Sequence, residues 1–405
     1  MNRNIIKDLK ISDLAFGGNG VGRTEDGLVI FVPYTIPGEV IDVELVKKHK
    51  SYAEGRIVEI KKSSDKRIKP KCKYFGECGG CQYQHIEYID ELKYKQSQLN
   101  DVLQRIGKLP QEALDKINAI IASENCYNYR NKLTLQPIIQ TKDLTEYGFF
   151  SSDNSELIEI KECPLAMEGI NKLLPKISLT KWGQDNSFRR IPSKCIIRET
   201  YDKTVKYFFG RIPKKIPWLT EQLMGKEISL PPGSFFQVNP SVAEKVYKKV
   251  ISWIDESETV VDAYCGIGIY SLLLPPMQNV FSIDNDKKAI KAAYHNSMQF
   301  GLDNRSFFVE QAEKALPEIF KENQPNSLCI ILNPPREGCN HKLIFSITKA
   351  LPKKVIIVSC NASTLARDLK KLLKTKKYEI SEISIFDMFP RTAHFETAVV
   401  LNRIG

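Results

Sequence analysis

The sequence predicts an α/β fold in three parts: a small β-barrel, a mixed α+β region and a Rossmann-like C-terminal domain. The first observation is length, because 405 residues with 42% apolar side chains exceed one ordinary domain. The second is a series of short β-type runs, broken by glycines, at the N-terminal end. The third is a pattern of strand, glycine turn and helix that repeats from Ser241 onward. We place the three parts at residues 1–62, 63–235 and 236–405.

The charge balance favours a polyanionic partner. Lysine and arginine outnumber aspartate and glutamate by 59 to 48, which gives a formal net charge of +11. Such an excess suits nucleic acid, although it is also common on solvated surfaces. No long uninterrupted apolar run is present, and the polar start of the chain lacks the apolar core of a signal peptide. We therefore expect a cytoplasmic protein with no membrane contact and no obligate protein partner.

The N-terminal part carries the signals of a small antiparallel barrel. The runs Leu28–Val32 and Glu39–Leu45 have strand character and are separated by turn residues. After them, the segment Lys47–Tyr52 sets an aromatic ring among cations. This segment suits a surface that follows an RNA backbone, and it suits a solvated loop equally well.

Ten cysteines in a chain expected to be cytoplasmic indicate metal binding or catalysis rather than disulfides. Cys72, Cys78 and Cys81 have the spacing C-x5-C-x2-C, with two glycines between the last pair. Small residues there let the backbone wrap a metal, and tetrahedral thiolate coordination requires a fourth ligand. Cys163, which Pro164 follows, is the best candidate. The spacing leaves both zinc and an iron-sulfur cluster open.

The central part combines helix and strand signals. Apolar positions over Ile89–Ile121 recur at helical spacing and are interrupted at Pro110. Further on, Tyr127–Lys132 interleaves aromatic rings with cations, as an RNA-binding segment or an ordinary strand edge would. Ser234–Pro240 holds two phenylalanines and the carboxamide of Gln237, which suit stacking on a base and bonding to its edge. Paired phenylalanines are also common in cores.

The C-terminal part begins with a strand and glycine turn over Thr259–Gly268, followed by an apolar helix. Gly266 and Gly268 let the backbone approach a ligand, but neither a dinucleotide fingerprint nor a P-loop is present. The next strand ends in Asp284, where an acid can accept hydrogen bonds from both hydroxyls of an unphosphorylated ribose. This order of features is typical of S-adenosylmethionine (SAM) enzymes. A third strand leads to Gln311, where adenine would lie.

Two later strands end in polar groups at the same edge of the predicted sheet. One precedes Asn333, which two prolines place in a stiff loop. The other, Val355–Val358, delivers Cys360 to the cleft where open α/β sheets bind ligands. This cysteine is either a nucleophile or a packed side chain, because free cysteines are commonly buried. Near the C-terminus, Glu396 and His394 are candidate bases, and either could be structural instead.

Five motifs together resemble the RNA uracil-C5 methyltransferase family over essentially the whole chain: SFFQVN, DAYCGIGIYSL, NPPREG, VSCNASTLARD and DMFPRTAHFETAVVL. The N-terminal run that begins AFGGNGVGR resembles the TRAM domain, an OB-like RNA-binding barrel. The resemblance implies a class I SAM methyltransferase domain in which Cys360 is the nucleophile and Glu396 takes the C5 proton. It places on the SAM and uracil pocket Gln237, Tyr264, Asp284, Gln311 and Asn333, beside the turn glycines Gly266 and Gly268.

The chemistry explains why such an enzyme needs a cysteine. Uracil C5 is too weak a nucleophile to attack a sulfonium methyl group unaided. A thiolate that adds to C6 generates an enolate with its charge at C5, and a base must later remove the C5 proton. A stacked base cannot be reached, so the target uridine must be flipped out or lie in a loop.

The resemblance also implies that Cys72, Cys78, Cys81 and Cys163 hold a [4Fe-4S] cluster. Members that carry both a TRAM domain and the cluster are similar to the 23S rRNA enzymes, whereas the bacterial tRNA branch characteristically lacks both. We therefore expect a loop uridine of 23S rRNA as the substrate, with tRNA as the alternative.

Two positions depart from the family's pattern. Asn333 stands where aspartate is usual, and Ile269 where asparagine is frequent. Asparagine keeps a carbonyl acceptor but loses a charge and gains an NH2 donor, which favours slower turnover or an altered target base. Three hypotheses follow: a uracil-C5 methyltransferase, which we favour, an amino-methyltransferase, and an RNA-binding protein with an impaired SAM site. The NPP loop is typical of the second, and Cys360 argues against it.

Overall fold

The computed structural model describes residues 4–139, 145–177, 194–210, 212, 217–256 and 258–405. The N-terminal segment is a closed barrel with the strand order β1-β2-β3-β5-β4. Its strands are β1 (Ile5–Leu14), β2 (Asn19–Arg23), β3 (Val29–Pro33), β4 (Val40–Lys48) and β5 (Tyr52–Lys62). Most neighbouring strands are antiparallel, as predicted, but β3 and β5 pair in parallel, which closes the barrel.

Glycines allow strand β2 to cross close to the rest of the barrel. A Cβ atom at Gly20 would collide with Oγ1 of Thr35, and one at Gly22 would lie 2.7 Å from Cγ of Leu9. Neither position tolerates a side chain without displacing a neighbour. The glycine-rich start of the chain is therefore required by packing within the barrel.

The central region contains a five-stranded sheet with the order β10-β9-β6-β7-β8. Its strands are β6 (Lys132–Ile139), β7 (Thr145–Phe150), β8 (Leu157–Glu159), β9 (Cys195–Glu199) and β10 (Val205–Phe209). Helix α3 (Glu168–Ile177) covers this sheet by placing Ile170 and Leu174 in one core with Leu133 and Ile197.

The helix predicted over residues 89–121 is shorter than expected. The chain forms α1 (Tyr88–Val102), a π-helical turn (Leu103–Gly107) and α2 (Gln111–Leu114). Beyond α2 the chain runs along the C-terminal sheet, where Ile117 bridges to Ile383 and Ile121 to Phe386. Leu99 of α1 is fully buried in the same core as the strands of that sheet. Helix α1 is thus part of the packing of the C-terminal domain.

The C-terminal domain is built on a seven-stranded sheet with the order β15-β14-β13-β16-β17-β19-β18. The strands are β13 (Thr259–Ala263), β14 (Val280–Asp284), β15 (Arg305–Val309), β16 (Leu328–Leu332), β17 (Lys354–Ser359), β18 (Tyr378–Phe386) and β19 (Glu396–Arg403). The first five are parallel, and β19 runs antiparallel to β17. The order reverses at β13, so a ligand crevice is expected outside the carboxyl ends of β13 and its neighbours.

Helices cover both faces of this sheet. They are α4 (Pro240–Ser252), α5 (Ile269–Leu273), α6 (Lys287–Gln299), α7 (Ala312–Glu322), α8 (His341–Ala350) and α9 (Ala362–Leu373), with a 3-10 turn at Pro325–Ser327. A hairpin of β11 (Leu219–Leu223) and β12 (Lys226–Leu230) shares one of the two cores. Within the described ranges, no helix combines the length and apolar character needed to cross a bilayer.

Candidate active site and cysteine cavity

The predicted nucleophile and base lie side by side at the carboxyl edge of β17. Strands β17 and β19 are antiparallel, with Ser359 opposite Thr397. Cys360 follows Ser359 directly, and Glu396 directly precedes Thr397, so both lie at the same end of this strand pair. They are close enough for the charge of Glu396 to act on the Cys360 thiol. The fold therefore brings together two residues that are distant in sequence.

Burial controls the protonation of this pair. Glu396 is 3% exposed, and its burial raises the pKa of the carboxyl to about 8. The pKa of the Cys360 thiol is also raised, first by burial and then by the neighbouring Glu396, while Arg336 opposes the shift through its charge and a hydrogen bond. At neutral pH, Glu396 is therefore mostly protonated and Cys360 is mostly a thiol.

The other candidate base, His394, is neutral at physiological pH. Burial, together with the charges of Arg336, Lys95 and Arg130, lowers its pKa to about 4. A neutral imidazole can still accept a proton, but its pKa is far below the value that suits a base near pH 7.

The loop after β16 is tied to the segment that carries Cys360. Nδ2 of Asn361 and Oγ1 of Thr364 both donate to the carbonyl oxygen of Arg336, at 3.1 and 3.2 Å. Asn361 also caps the N-terminus of α9. In the same loop, Gly338 has a φ of +78°, and a Cβ atom there would lie 2.8 Å from the Asp368 carboxylate. Hydrogen bonds thus join the loop to the residues that directly follow Cys360.

A cavity of about 350 Å³ opens at the same edge of the sheet. Its lining comes from the ends of β13, β14 and β15 and from the loop after β16, and includes Tyr264, Asp284, Gln311, Glu313 and Asn340. The Asp284 carboxylate accepts hydrogen bonds from the backbone N–H groups of Gly266 and Asp286, both at 2.8 Å. These bonds fix the orientation of the carboxylate toward the cavity.

The turn between β13 and α5 depends on left-handed backbone conformations. Tyr264, Gly266 and Gly268 have φ values of 63°, 56° and 76°. A Cβ atom at Gly268 would lie 2.9 Å from Cβ of Ala293. Glycine is therefore required at this position by its positive φ and by the lack of space for a side chain. Behind the turn, burial raises the pKa of Asp262 to about 8. The backbone is therefore shaped to run close beside the cavity.

The four cysteines of the sequence motif line a second cavity, also of about 350 Å³. They are Cys72, Cys78, Cys81 and Cys163. Burial raises the pKa of each of these thiols, for Cys78 to about 11. Throughout the part of the chain that the structure describes, no set of three or more His, Cys, Asp or Glu side chains is arranged to hold a single metal ion.

Comparison with known sequences identifies the family. The profile described as "tRNA (Uracil-5-)-methyltransferase" matches residues 220–404, and the profile of the TRAM domain matches residues 4–58. The chain is 30% identical, over its full length, to an uncharacterized RNA methyltransferase of Clostridium acetobutylicum, 98% of which is covered. It is 31% identical to the tRNA (uracil(54)-C(5))-methyltransferase of Schizosaccharomyces pombe, over 98% of this chain and 78% of that one. This chain belongs to the RNA uracil-C5 methyltransferase family.

A solved structure supports the fold of this methyltransferase. The Pyrococcus abyssi tRNA (uracil-54, C5)-methyltransferase, in complex with S-adenosyl-L-homocysteine, superposes with a TM-score of 0.72 and 23% identity. The match covers 98% of this chain and 100% of that one. The predicted fold class, a TRAM barrel joined to a SAM methyltransferase domain, is confirmed. The predictions of a SAM-dependent enzyme and of an RNA substrate are likewise confirmed by family membership.

The methyltransferase gathers some of the predicted cofactor residues at one cavity. Tyr264, Asp284 and Gln311 line it. Gly266 is linked to it through its bond to Asp284, and Gly268 shapes the turn beside it.

Two of the predicted cofactor residues, Gln237 and Asn333, do not line this cavity. Gln237 is buried, and its backbone carbonyl accepts a hydrogen bond from Nδ2 of Asn131 at 3.2 Å. The backbone N–H of Asn333 donates to the carbonyl of Ala263 at 3.3 Å. The roles of both side chains, in SAM or uracil binding, stay predictions.

The sequence analysis missed Arg336 as a functional residue of the methyltransferase. Its charge acts on both Cys360 and His394. A signal was present, because Arg336 follows two prolines in a loop at the same sheet edge as a candidate nucleophile. Asn340, which lines the cavity and donates to Glu313 at 2.7 Å, had no comparable signal.

Proposed function

We propose that this enzyme methylates C5 of a uridine in RNA through a covalent adduct with Cys360. The observation that carries the proposal is that Cys360 and Glu396 lie at the adjoining ends of β17 and β19, where the charge of Glu396 acts on the thiol. The cavity that Asp284 lines opens at the same edge of the sheet. Such a pair suits neighbouring ring atoms, because the thiolate acts at C6 and the carboxylate at C5. An amino-methyltransferase would have no use for a nucleophile at this point.

The chain's own residues act in two stages. First, the Cys360 thiolate forms a bond to C6, and the electron pair of the C5–C6 double bond moves to C5 and O4 as an enolate. Arg336 favours the thiolate. After C5 has gained the methyl group, the Glu396 carboxylate takes the C5 proton. The C5–C6 double bond then forms again, the C6–sulfur bond breaks, and Cys360 leaves as a thiolate.

SAM supplies the methyl group from its sulfonium when it is bound. The residues of the cofactor cavity fit this molecule by their chemistry. The oriented Asp284 carboxylate suits the ribose hydroxyls, the Gln311 carboxamide suits the edge of adenine, and Tyr264 offers an aromatic face. We therefore assign the cofactor to this cavity.

For the RNA target, we propose a loop uridine of 23S rRNA, on the basis of the combined barrel and cysteine motif. A second candidate is tRNA, because two relatives with a stated substrate, from S. pombe and P. abyssi, are named for uracil 54 of tRNA. We expect the reaction to take place in the cytoplasm, as the sequence predicts.

Nucleoside mass spectrometry separates these candidates. Unmodified 23S rRNA and tRNA transcripts are incubated with purified enzyme and SAM. Appearance of 5-methyluridine in the rRNA alone supports the first target, and appearance in tRNA alone supports the second. Calorimetry measures whether SAM binds. If SAM binds but neither RNA gains a methyl group, the hypothesis of an RNA-binding protein with an impaired site is favoured, and Asn333→Asp is the next variant to assay.

We also propose that the cysteine cavity holds a [4Fe-4S] cluster. In such a cluster each thiolate binds a different iron, so the sulfurs stand further apart than the four ligands of one zinc ion. The four thiols line one cavity, and this shared position supports the proposal. A hydrogen bond from the buried side chain of Gln84 to Cys81 opposes the rise in the pKa of that thiol, so Gln84 fits a donor to a ligand sulfur.

The cluster has a direct spectroscopic test. Cys78→Ser should lose the brown absorbance of an iron-sulfur cluster at about 400 nm. It should also lose most of the protein's iron and acid-labile sulfide. Cys126→Ser, a change at a half-buried cysteine outside the cavity lining, serves as the matched control and should retain all three. Equal spectra and iron contents in the two variants would rule out Cys78 as a ligand.

A further inference from the structure

Gln82, the residue directly after the cysteine motif, joins the cysteine loop to the segment that leads into β19. Its backbone N–H and that of Tyr83 both donate to the carbonyl of Arg391, at 3.1 Å each. Its side-chain Oε1 accepts from the backbone N–H of Ala393 at 2.9 Å. On the other side, Nε2 donates to the carbonyl of Gly79 at 3.0 Å.

The segment that Gln82 holds ends at the proposed base. Ala393 is three residues before Glu396, and Phe395 between them is 2% exposed. Phe395 also meets Phe16 of the barrel edge to face, with ring centroids 5.9 Å apart. Glu396 is the first residue of β19 and pairs with Phe386 of β18. The Ala393 N–H before it is held by the Gln82 side chain rather than by a strand partner, so Gln82 sets how the segment enters β19.

The beginning of the same segment is anchored by α1. Nζ of Lys95, fully buried, donates to Glu91 at 2.7 Å, to Asp387 at 2.6 Å and to the carbonyl of Phe389 at 3.3 Å. Tyr88 adds a hydrogen bond to Asp387 at 2.8 Å. The segment 387–393 is therefore fixed by α1 at its start and by Gln82 at its end.

We propose that Gln82 is a positioning residue that holds Glu396 at the distance from the Cys360 adduct at which the C5 proton can be removed. The inference rests on the proposed function, because it assumes that Glu396 takes this proton. It assigns to the Cys81–Gln82 junction a role in the second half of the reaction. Displacement of a catalytic group by about 1 Å can cost on the order of 100-fold in rate, so loss of one well-placed acceptor is enough.

The test follows the covalent adduct rather than activity alone. Gln82→Met keeps the volume of the side chain but removes the acceptor, so adduct breakdown should slow by roughly ten- to a hundredfold. A protein–RNA complex that survives denaturing electrophoresis and carries labelled methyl should then accumulate. SAM affinity, the rate of adduct formation and the unfolding temperature should stay close to the wild-type values. A variant that had lost its fold would change all three.

Gln82→Glu supplies the conservative rescue. It keeps an acceptor for the Ala393 N–H but cannot donate to Gly79, so adduct breakdown should return close to the wild-type rate. Gln84→Ala is the matched control, because Gln84 accepts from the Cys72 N–H at 3.0 Å and does not contact the segment 391–393. We expect this control to lower the iron content without accumulation of adduct.

The outcomes separate the inference from the proposed function. Glu396→Gln must accumulate the same adduct; if it does not, the mechanism under the proposed function is wrong. If Glu396→Gln accumulates adduct and Gln82→Met does not, only the role of Gln82 is overturned. The role of Gln82 would also be overturned if adduct breakdown in Gln82→Glu were as slow as in Gln82→Met, or if both variants failed to fold.

Discussion

Cys360 and the four cysteines of the cysteine cavity are all half-buried, but their neighbours differ. Cys360 has Arg336 as a neighbour, which favours the thiolate. It also has Glu396 as a neighbour, whose carboxyl group can take a proton. Beside Cys81 stand other thiols, whose charges disfavour its thiolate. A cation next to one thiol makes a nucleophile, whereas several thiols need a metal to compensate their combined charge. The surroundings of the thiols, rather than their burial, are what distinguish the two proposed chemistries.

The strongest way to break this comparison is to remove the proposed nucleophile. Cys360→Ala should reduce methylation by more than about 10⁴-fold, the scale on which removal of a covalent nucleophile acts. Iron content should not change, because Cys360 does not line the cysteine cavity. Methyl transfer is measured with labelled SAM, and Cys126→Ala is the control. Retained activity in Cys360→Ala would favour the amino-methyltransferase hypothesis instead.

Glu396 gives the next largest effect and a defined pH dependence. Glu396→Gln should slow turnover by about 10²–10⁴-fold, as loss of a general base does. In the wild type, the rate of adduct breakdown should rise as pH rises through about 8, because the carboxyl must lose its proton first. Single-turnover kinetics over this pH range checks the profile, and a flat profile would contradict the assignment of Glu396.

The same carboxyl also links stability to pH. The folded state keeps the proton up to about pH 8, whereas the unfolded chain releases it near the ordinary glutamate value. The free energy of unfolding should therefore fall as pH rises between these two values. Denaturant unfolding of Glu396→Gln should lack this contribution to the fall, since glutamine does not titrate.

Asp284 tests the cofactor cavity alone. Asp284→Ala should weaken SAM binding by roughly 10- to 150-fold, because a hydrogen bond to a charged group contributes about 1.5–3 kcal/mol. Asp286→Ala is the matched control, since Asp286 caps α6 through Lys288 and does not line the cavity. Calorimetric titration with SAM measures both variants. Equal affinities in the two would remove Asp284 from the cofactor site.

Arg336 gives the smallest expected effect and sharpens the comparison of the thiols. Without the guanidinium, the pKa of Cys360 should rise further. A rise of one unit would lower the thiolate fraction, and with it the rate of adduct formation at pH 7, by about tenfold. Arg336→Met is compared with Arg105→Met on the π-helical turn. Recovery of the Arg336→Met rate at higher pH would identify the thiolate as the cause.

Sequence reasoning worked where the signal was local. The apolar run Val355–Val358 followed by a polar Cys360 predicted a strand end, and the glycines 266 and 268 predicted the turn at φ values that only glycine readily adopts. It failed over Leu103–Gly107, where apolar spacing continues but the hydrogen-bond pattern changes to a π-turn.

Contacts between distant residues were harder to predict. The position of Arg336 in a proline loop was a signal, but its effect on Cys360 appears only when β16 and β17 are neighbours. For Lys95 and Gln82, nothing nearby in sequence indicates partners about three hundred positions later. Single-sequence periodicity describes which face of an element is buried and does not identify its partner.

The buried Lys95 has a consequence for how the enzyme is made. Its partner Asp387 is 292 positions further along the chain. At a synthesis rate of about 5–20 residues per second, the ribosome needs roughly 15–60 s to deliver it. Until then, Lys95 lacks the partner with which it is buried in the folded protein. Helix α1 therefore cannot complete its packing until Asp387 has left the ribosome.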